Sequence, residues 1–413
     1  MIELRAARAS APDVAHFLRP GTLRLPALPP LSLYVHFPWC VRKCPYCDFN
    51  SHEAAGGVAA IPEQRYLEAL RADLDAALPL IWGRRVISVF LGGGTPSLIS
   101  AAGVERLLSD LRARLTLQAD CEITLEANPG TFEAARFAAF RAAGVNRLSI
   151  GVQSFSDEQL RRLGRVHDRA QALAAIEAAR RDFDNFNLDL MYALPGQSLQ
   201  AMQADIETAL ALAPPHLSLY QLTIEPNTVF AKYPPPLPDE DTAAAMHEWI
   251  EDKMAAAGYE HYEVSAYARP GRACQHNLNY WRFGDYLGIG AGAHSKISFP
   301  GRILRQVRLR QPDSYMDGAL RGASLAESTE VARGDLPFEF MLNALRLTAG
   351  FPPRLFTERT GLPLSSIEAA LARAEARGLL AVDLQRIAPT DLGRLFLSDL
   401  QGLFLPTHRD KAG

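Results

Sequence analysis

The chain has 413 residues, more than one ordinary domain holds, so a large α/β domain with a smaller companion is the starting expectation. Hydrophobic residues make up 48 %, enough for a sizeable core, and a formal net charge of −3 supplies no global field for nucleic acid or an anionic membrane surface. No apolar run approaches the ~20 residues a membrane-spanning helix needs, and five cysteines do not make a disulfide framework.

The first 20 residues are rich in Ala and Arg, as transit peptides are, but Glu3 and Asp13 are acids that such peptides avoid. A cytoplasmic protein with a loose N-terminal tail over residues 1–30 is expected, its end Pro-rich (PGTLRLPALPP, 20–30). Residues 31–37 (LSLYVHF) then alternate like a strand, and 63–82 carry apolar residues at helical spacing. The alternation continues: strands over 86–91, 121–126, 147–152, 187–192 and 216–222, helices over 104–115, 132–142, 199–212 and 241–257, and helical stretches up to residue 180. Strands alternating with helices imply a parallel sheet with helices outside it, either open or curled into a full or partial barrel. This core is placed at residues 31–260. After residue 259 the pattern degrades, so 261–330 reads as an irregular extension. Helical spacing resumes at 336–347 and 366–377, followed by two short strands (378–383, 386–390) and a last helix over 391–403. That order reads as a small α+β, winged-helix-like C-terminal domain over 331–413.

Three of the five cysteines, Cys40, Cys44 and Cys47, fall within eight positions. Such a cluster points to a metal site in a reducing compartment. Three thiolates suit a four-iron cluster that leaves one iron open for a substrate's amino and carboxylate groups. The plainer readings are a zinc site, which normally wants four protein ligands, or three unrelated thiols. Cys121 and Cys274 stand alone, without a paired CxxC.

The CxxxCxxC spacing after a first strand resembles the signature of radical S-adenosylmethionine (SAM) enzymes. The wider segment YVHFPWCVRKCPYCDFNSH is similar to the oxygen-independent coproporphyrinogen III oxidase group and its relatives, a likeness that extends from about residue 31 to about residue 405. It implies a partial parallel (β/α) barrel, a [4Fe–4S] cluster on Cys40, Cys44 and Cys47, and SAM at the open iron. It also implies reductive cleavage of SAM to a 5′-deoxyadenosyl radical, with an electron donor for the cluster. Polar residues at successive strand ends fit that site: Gly93, Gly94 and Thr95 in GGGTP, Glu126 in LEANPG, Gln153 in GVQSF, Arg165 in LGRVH and Asp189 in NLDLMYALPGQ. Glycines let backbone approach a ligand and expose N–H donors, a carboxylate accepts from ribose hydroxyls, and a cation meets a carboxylate. With Tyr34 and Tyr46, these residues are the SAM contacts the resemblance implies.

Two departures bear on the subtype. The oxidases of this group carry a fourth cysteine two positions after the third, where this chain has Phe49. The sequence His276-Asn277-Leu278-Asn279-Tyr280-Trp281 resembles the signature of the group's haem-binding relatives. Imidazole is a common axial ligand of haem iron, so His276 is a haem-contact candidate; a lone histidine is otherwise more often a satisfied loop residue. The expected function is a haem chaperone that hands haem to acceptor proteins, with the oxidase as the alternative. A DNA-binding winged helix is a weaker third reading, because the tail carries no basic patch. Peripheral membrane association is compatible with the haem-chaperone reading.

Overall fold

The computed structural model describes residue 17 and residues 19–130 and 134–406. Most of the expected tail (1–16 and 18), the start of the helix expected over 132–142, and residues 407–413 of the expected C-terminal domain lie outside the described residues.

One large sheet organises the chain. Its strands are β1 (Leu31–Phe37), β2 (Arg85–Gly93), β3 (Thr116–Ala127), β4 (Arg147–Gln153), β5 (Phe186–Tyr192) and β6 (His216–Gln221), followed by β7 (Glu260–Glu263), β8 (Ala266–Ala268), β9 (Asp285–Ile289), β10 (His294–Phe299), β11 (Arg302–Arg308) and β12 (Leu325–Glu330). They lie in the order β12-β11-β10-β9-β1-β2-β3-β4-β5-β6-β8-β7. The run from β9 to β6 is entirely parallel. The two end strands, β12 and β7, do not pair with each other, so the sheet is open and not a closed barrel. The central strands are buried on both faces, as in LSLYVHF, which is why they read as apolar runs. Helices such as Glu63–Ala77, Ala101–Arg114, Arg169–Asp182, Leu199–Ala211 and Glu240–Ala256 pack their apolar faces outside it. Their starts are set locally. Ser100, Ser198 and Asp239 accept from backbone N–H groups of the first turn, and Asp168 with Gln171 forms a capping box.

Residues 261–330 are not irregular. They hold β9, which adds to the parallel run on the free edge of β1, and the antiparallel arm β10–β11–β12. Where it is described, the end of the tail is held in place. Leu23 and Leu25 donate backbone hydrogen bonds to Gly301 and Pro300, both at 3.0 Å, and are buried in the second core. That second core belongs to the C-terminal domain: helices Leu336–Ala344, Pro353–Thr360 and Glu368–Ala376, then the hairpin Leu380–Val382 with Ile387–Pro389. The last expected helix is broken at Phe396 into Asp391–Leu395 and Leu397–Gly402. Among the described residues no helix is long and apolar enough to cross a membrane.

Candidate cofactor cavity

A cavity of about 410 Å³ opens at the carboxyl edge of the parallel strands, where such sheets place their sites. Its inner wall is made by alternate residues of neighbouring strands: Arg147, Ser149 and Gly151 of β4, Asn187, Asp189 and Met191 of β5, Ser218 and Tyr220 of β6. That two-residue period is the pleat of the sheet. Cys274 and Asn277, from the start of helix Gln275–Trp281, also line it.

The cysteine loop leaves β1 and forms its mouth. All three thiols line the cavity; Cys40 is buried, and Cys44 and Cys47 are partly exposed. The loop is held from several sides. Cys47 N–H donates to Cys44 O at 3.1 Å, closing a turn, and Ala54 N–H donates to Cys40 O at 2.9 Å. The Lys43 ammonium donates to the carbonyls of Phe49 and Ser51 at 3.1 and 3.2 Å. Asn50 ties the loop to distant chain: its amide donates to Ala291 O and Arg310 O, both at 2.9 Å, while its own carbonyl lies 2.9 Å from His36 Nε2. Burial pushes the Cys40 thiol up to about 11, against hydrogen bonding from Thr95. Three soft sulfur donors on one loop, one of them needing a positive partner to ionise, suit iron–sulfur ligation.

The glycine motif sits against this loop. Gly94 N–H donates to Phe37 O at 2.7 Å, Thr95 N–H to Trp39 O at 2.8 Å, and Gly93 N–H to Glu126 Oε2 at 3.0 Å. The motif therefore does not offer these N–H groups to a ligand, as the sequence suggested. They fasten the cysteine loop and orient Glu126. Close approach explains the glycines: a Cβ on Gly94 would stand 2.5 Å from Trp39 O, and one on Gly93, at φ 113°, 2.5 Å from the His36 ring.

Glu126, Asp189, Gln153, Arg165 and Tyr46 all line the cavity. Gln153 ends β4 with φ 68°, a left-handed conformation that costs a non-glycine residue. Arg165 is heavily engaged. Nη1 lies 3.5 Å from Cys44 Sγ, and Nη2 donates to Gly151 O at 2.7 Å and to Asn128 Oδ1. Asn128 in turn donates to Thr95 Oγ1 at 3.0 Å, so a polar chain runs from the glycine motif to the cysteine loop. Asn128 was not singled out from sequence; its place two residues after Glu126, in LEANPG, was the available signal. Asp189 accepts from Ser149 Oγ at 3.0 Å and Asn187 Nδ2 at 2.8 Å, yet burial raises it. Burial, then the charge of Asp189, lift Glu126 from its ordinary 4.5 to about 8, against the Gly93 N–H.

That shift has a sign. A raised carboxyl contributes stability below its unfolded value that is lost as pH climbs to its folded value. The cluster-free protein is therefore expected to lose stability between pH 4.5 and about 8 through Glu126. Glu126→Gln should flatten this fall in urea unfolding at pH 5 and pH 8; identical slopes for both proteins would exclude Glu126 as its source.

Two candidates are placed otherwise. Tyr34 is not on the cavity wall; its hydroxyl stands 3.0 Å from His36 Nδ1 and its ring stacks on Phe90 with centroids 6.3 Å apart. His276 is only 5 % exposed. Its Nδ1 is 3.0 Å from Ser88 Oγ, its backbone N–H donates to Glu122 at 3.2 Å, and Phe90 and Tyr280 flank the ring at 4.9 and 5.1 Å. Burial and the charge of Arg147 push the imidazole down to about 3, so it is neutral. In this conformation His276 is a packed core histidine, and Asn279 of the same motif clips Ser32 and Asp285 at 2.9 Å each.

Residues 34–209 match the Radical SAM superfamily and residues 331–396 the HemN C-terminal domain. The chain is 52 % identical to "Heme chaperone HemW" of Escherichia coli, covering 92 % of this chain and 99 % of that protein. It is 35 % identical to the Bacillus subtilis protein of the same name, over 91 % of this chain and 99 % of that one. The chain belongs to the HemW family. Coproporphyrinogen III oxidase (HemN) from Escherichia coli, a radical SAM enzyme, superposes with a TM-score of 0.77 at 26 % identity, covering 91 % of this chain and 90 % of that one. HemW relatives are thus matched along nearly their whole length, on a fold shared with an oxidase. Two positions after Cys47, this HemW-family chain presents Phe49 at the cavity mouth, 61 % exposed.

Proposed function

We propose that this protein is a cytoplasmic haem chaperone that holds a [4Fe–4S] cluster and SAM, binds haem, and passes haem to haem-dependent enzymes. One observation carries the cofactor part: Cys40, Cys44 and Cys47 share a single cavity with Glu126, Gln153, Arg165 and Asp189. The three thiols would hold the cluster, which when bound supplies low-potential electron transfer taken from an external donor. Glu126 and Asp189 would orient SAM through its hydrogen-bond donors, while Gly93, Gly94 and Thr95 keep the cysteine loop seated. Phe49 and the HemW relatives' shared name favour the chaperone over the oxidase. A thiol at position 49 would offer the cavity mouth another metal ligand; a phenyl ring offers apolar surface instead.

One sample tests this. The protein is reconstituted anaerobically, titrated with haem, and assayed with coproporphyrinogen III and SAM. Haem binding with no decarboxylation is the expected result; decarboxylation tied to SAM cleavage would make the protein an oxidase despite Phe49. His276→Ala belongs in the same series. Its buried position leads us to expect an unchanged haem spectrum, and a lost or shifted Soret band would restore His276 as a haem contact.

A further inference from the structure

The three loop cysteines differ from the two lone ones in how their sulfurs are bonded. Cys121 and Cys274 act as S–H donors: Cys121 Sγ donates to the Glu122 carbonyl at 3.9 Å and Cys274 Sγ to Glu122 Oε1 at 3.4 Å. The loop sulfurs instead face hydrogen-bond donors. Cys44 Sγ lies 3.5 Å from Arg165 Nη1, a group that can only donate. Cys47 Sγ lies 3.6 Å from Ser51 Oγ. The Thr95 hydroxyl bonds to Cys40, and the Ser51 hydroxyl reaches Cys40 as well. Thr95 Oγ1 already accepts from Asn128 Nδ2 at 3.0 Å, which leaves its own proton for a sulfur. Ser51 is 5 % exposed, and its hydroxyl otherwise meets the Phe49 carbonyl, at 3.5 Å. Both residues line the cavity beside the thiols. A sulfur bound to a metal has lost its proton and can only accept, so each hydroxyl then turns its proton toward it.

Such an arrangement favours added negative charge. When the cluster takes one electron from the external reductant, that reductant is oxidised by one electron and the sulfurs become more negative. Hydrogen bonds to the sulfurs stabilise this reduced form and raise the reduction potential. We propose that Ser51 and Thr95 are positioning residues that set the reduction potential of the cluster by donating hydroxyl hydrogen bonds to its cysteine sulfurs. The inference rests on the proposed function for the cluster itself. Arg165 stays out of the test because its charge is also expected at the SAM carboxylate.

The test is an anaerobic redox titration of the full-length, reconstituted protein without SAM, followed by the EPR signal of the reduced cluster. Ser51→Ala and Thr95→Val each remove one hydroxyl, and Ser51→Thr keeps it. Each loss should shift the reduction equilibrium against the reduced form by about threefold to tenfold, the range of one hydrogen bond. Tenfold is about 59 mV for one electron. Iron content should stay at the wild-type level, and Ser51→Thr should return toward the wild-type midpoint. A lowered midpoint in a fully loaded variant supports the assignment, because a merely structural hydroxyl would change how much cluster is held and not its midpoint. Unchanged midpoints in both loaded variants overturn it and leave the cluster reading standing. If one variant fails to load, the other decides by the same criterion. If neither holds a cluster, the hydroxyls are scaffold and the assignment falls. Wild-type protein that takes up no iron overturns the cluster reading and this inference together.

Discussion

Cys44→Ala protein, reconstituted anaerobically with iron and sulfide, is expected to remain colourless. The wild-type chain should carry a brown, oxygen-sensitive chromophore with about four irons per chain. Cys44 is the middle of the three loop thiols; its carbonyl closes the turn with Cys47 and its sulfur lies 3.5 Å from Arg165. With it gone, two thiols face the cavity mouth, and no neighbouring side chain replaces the third. Cys274 lines the cavity too, but it precedes helix Gln275–Trp281, is buried beside Glu122, and is not on the cysteine loop. Cys121→Ala and Cys274→Ala should therefore keep the chromophore. Full iron and sulfide in Cys44→Ala would mean the cluster, if any, lies elsewhere.

The largest effect on stability is expected from Asp285→Ala. Asp285 is fully buried, accepts from Lys296 Nζ at 2.9 Å and from Ser298 N–H and Oγ at 2.8 Å each, and forms an ion pair with Arg84 at 2.8 Å. Its backbone N–H also donates to Pro30 O at 2.9 Å, joining β9 to the chain entering β1. Removing the carboxylate strands a buried ammonium, a change that typically costs ~3–5 kcal/mol. Urea unfolding of the cluster-free protein would show it as a lowered midpoint. The companion variant Asp285→Asn with Lys296→Met removes the carboxylate and the ammonium, leaves Arg84 with Pro29 O at 2.5 Å, and should recover part of the loss; an equal loss in both would assign the effect to packing rather than to the orphaned ammonium.

The parallel half of the fold was legible because its strands are buried on both faces and its helices on one, so each writes its period in apolar residues. The antiparallel arm was not. In β11 the residues Arg302, Gln306 and Arg308 are buried, so a core-facing strand reads as RILRQVR. Arg308 is tolerated there because Asp73 receives its Nε at 3.3 Å. The same blindness hid Arg147, which opens RLSIGV and looks like a solvated strand start. The cysteines, Glu126, Gln153, Arg165 and Asp189 were legible as strand-end polar groups, and the structure gathers them into one cavity. Side-chain direction was not legible. Tyr34 and His276 have suitable chemistry, but both rings pack against Phe90, and His276 is buried. The motif around His276 shows up in sequence whether it meets a ligand or closes the floor of a barrel.

Asn50 carries a consequence in time. The anchors that seat the cysteine loop, Ala291 and Arg310, lie 241 and 260 residues downstream, and the second neighbour of β1 is β9, at Asp285–Ile289. A chain made from its N-terminus exposes the three cysteines early and their supports late. During synthesis the nascent barrel holds its thiols on an unfastened loop until about three-quarters of the protein has left the ribosome. A cluster loaded into the finished geometry would therefore wait until residue 310 has been made, and truncations ending before it would present the cysteines without the frame that positions them.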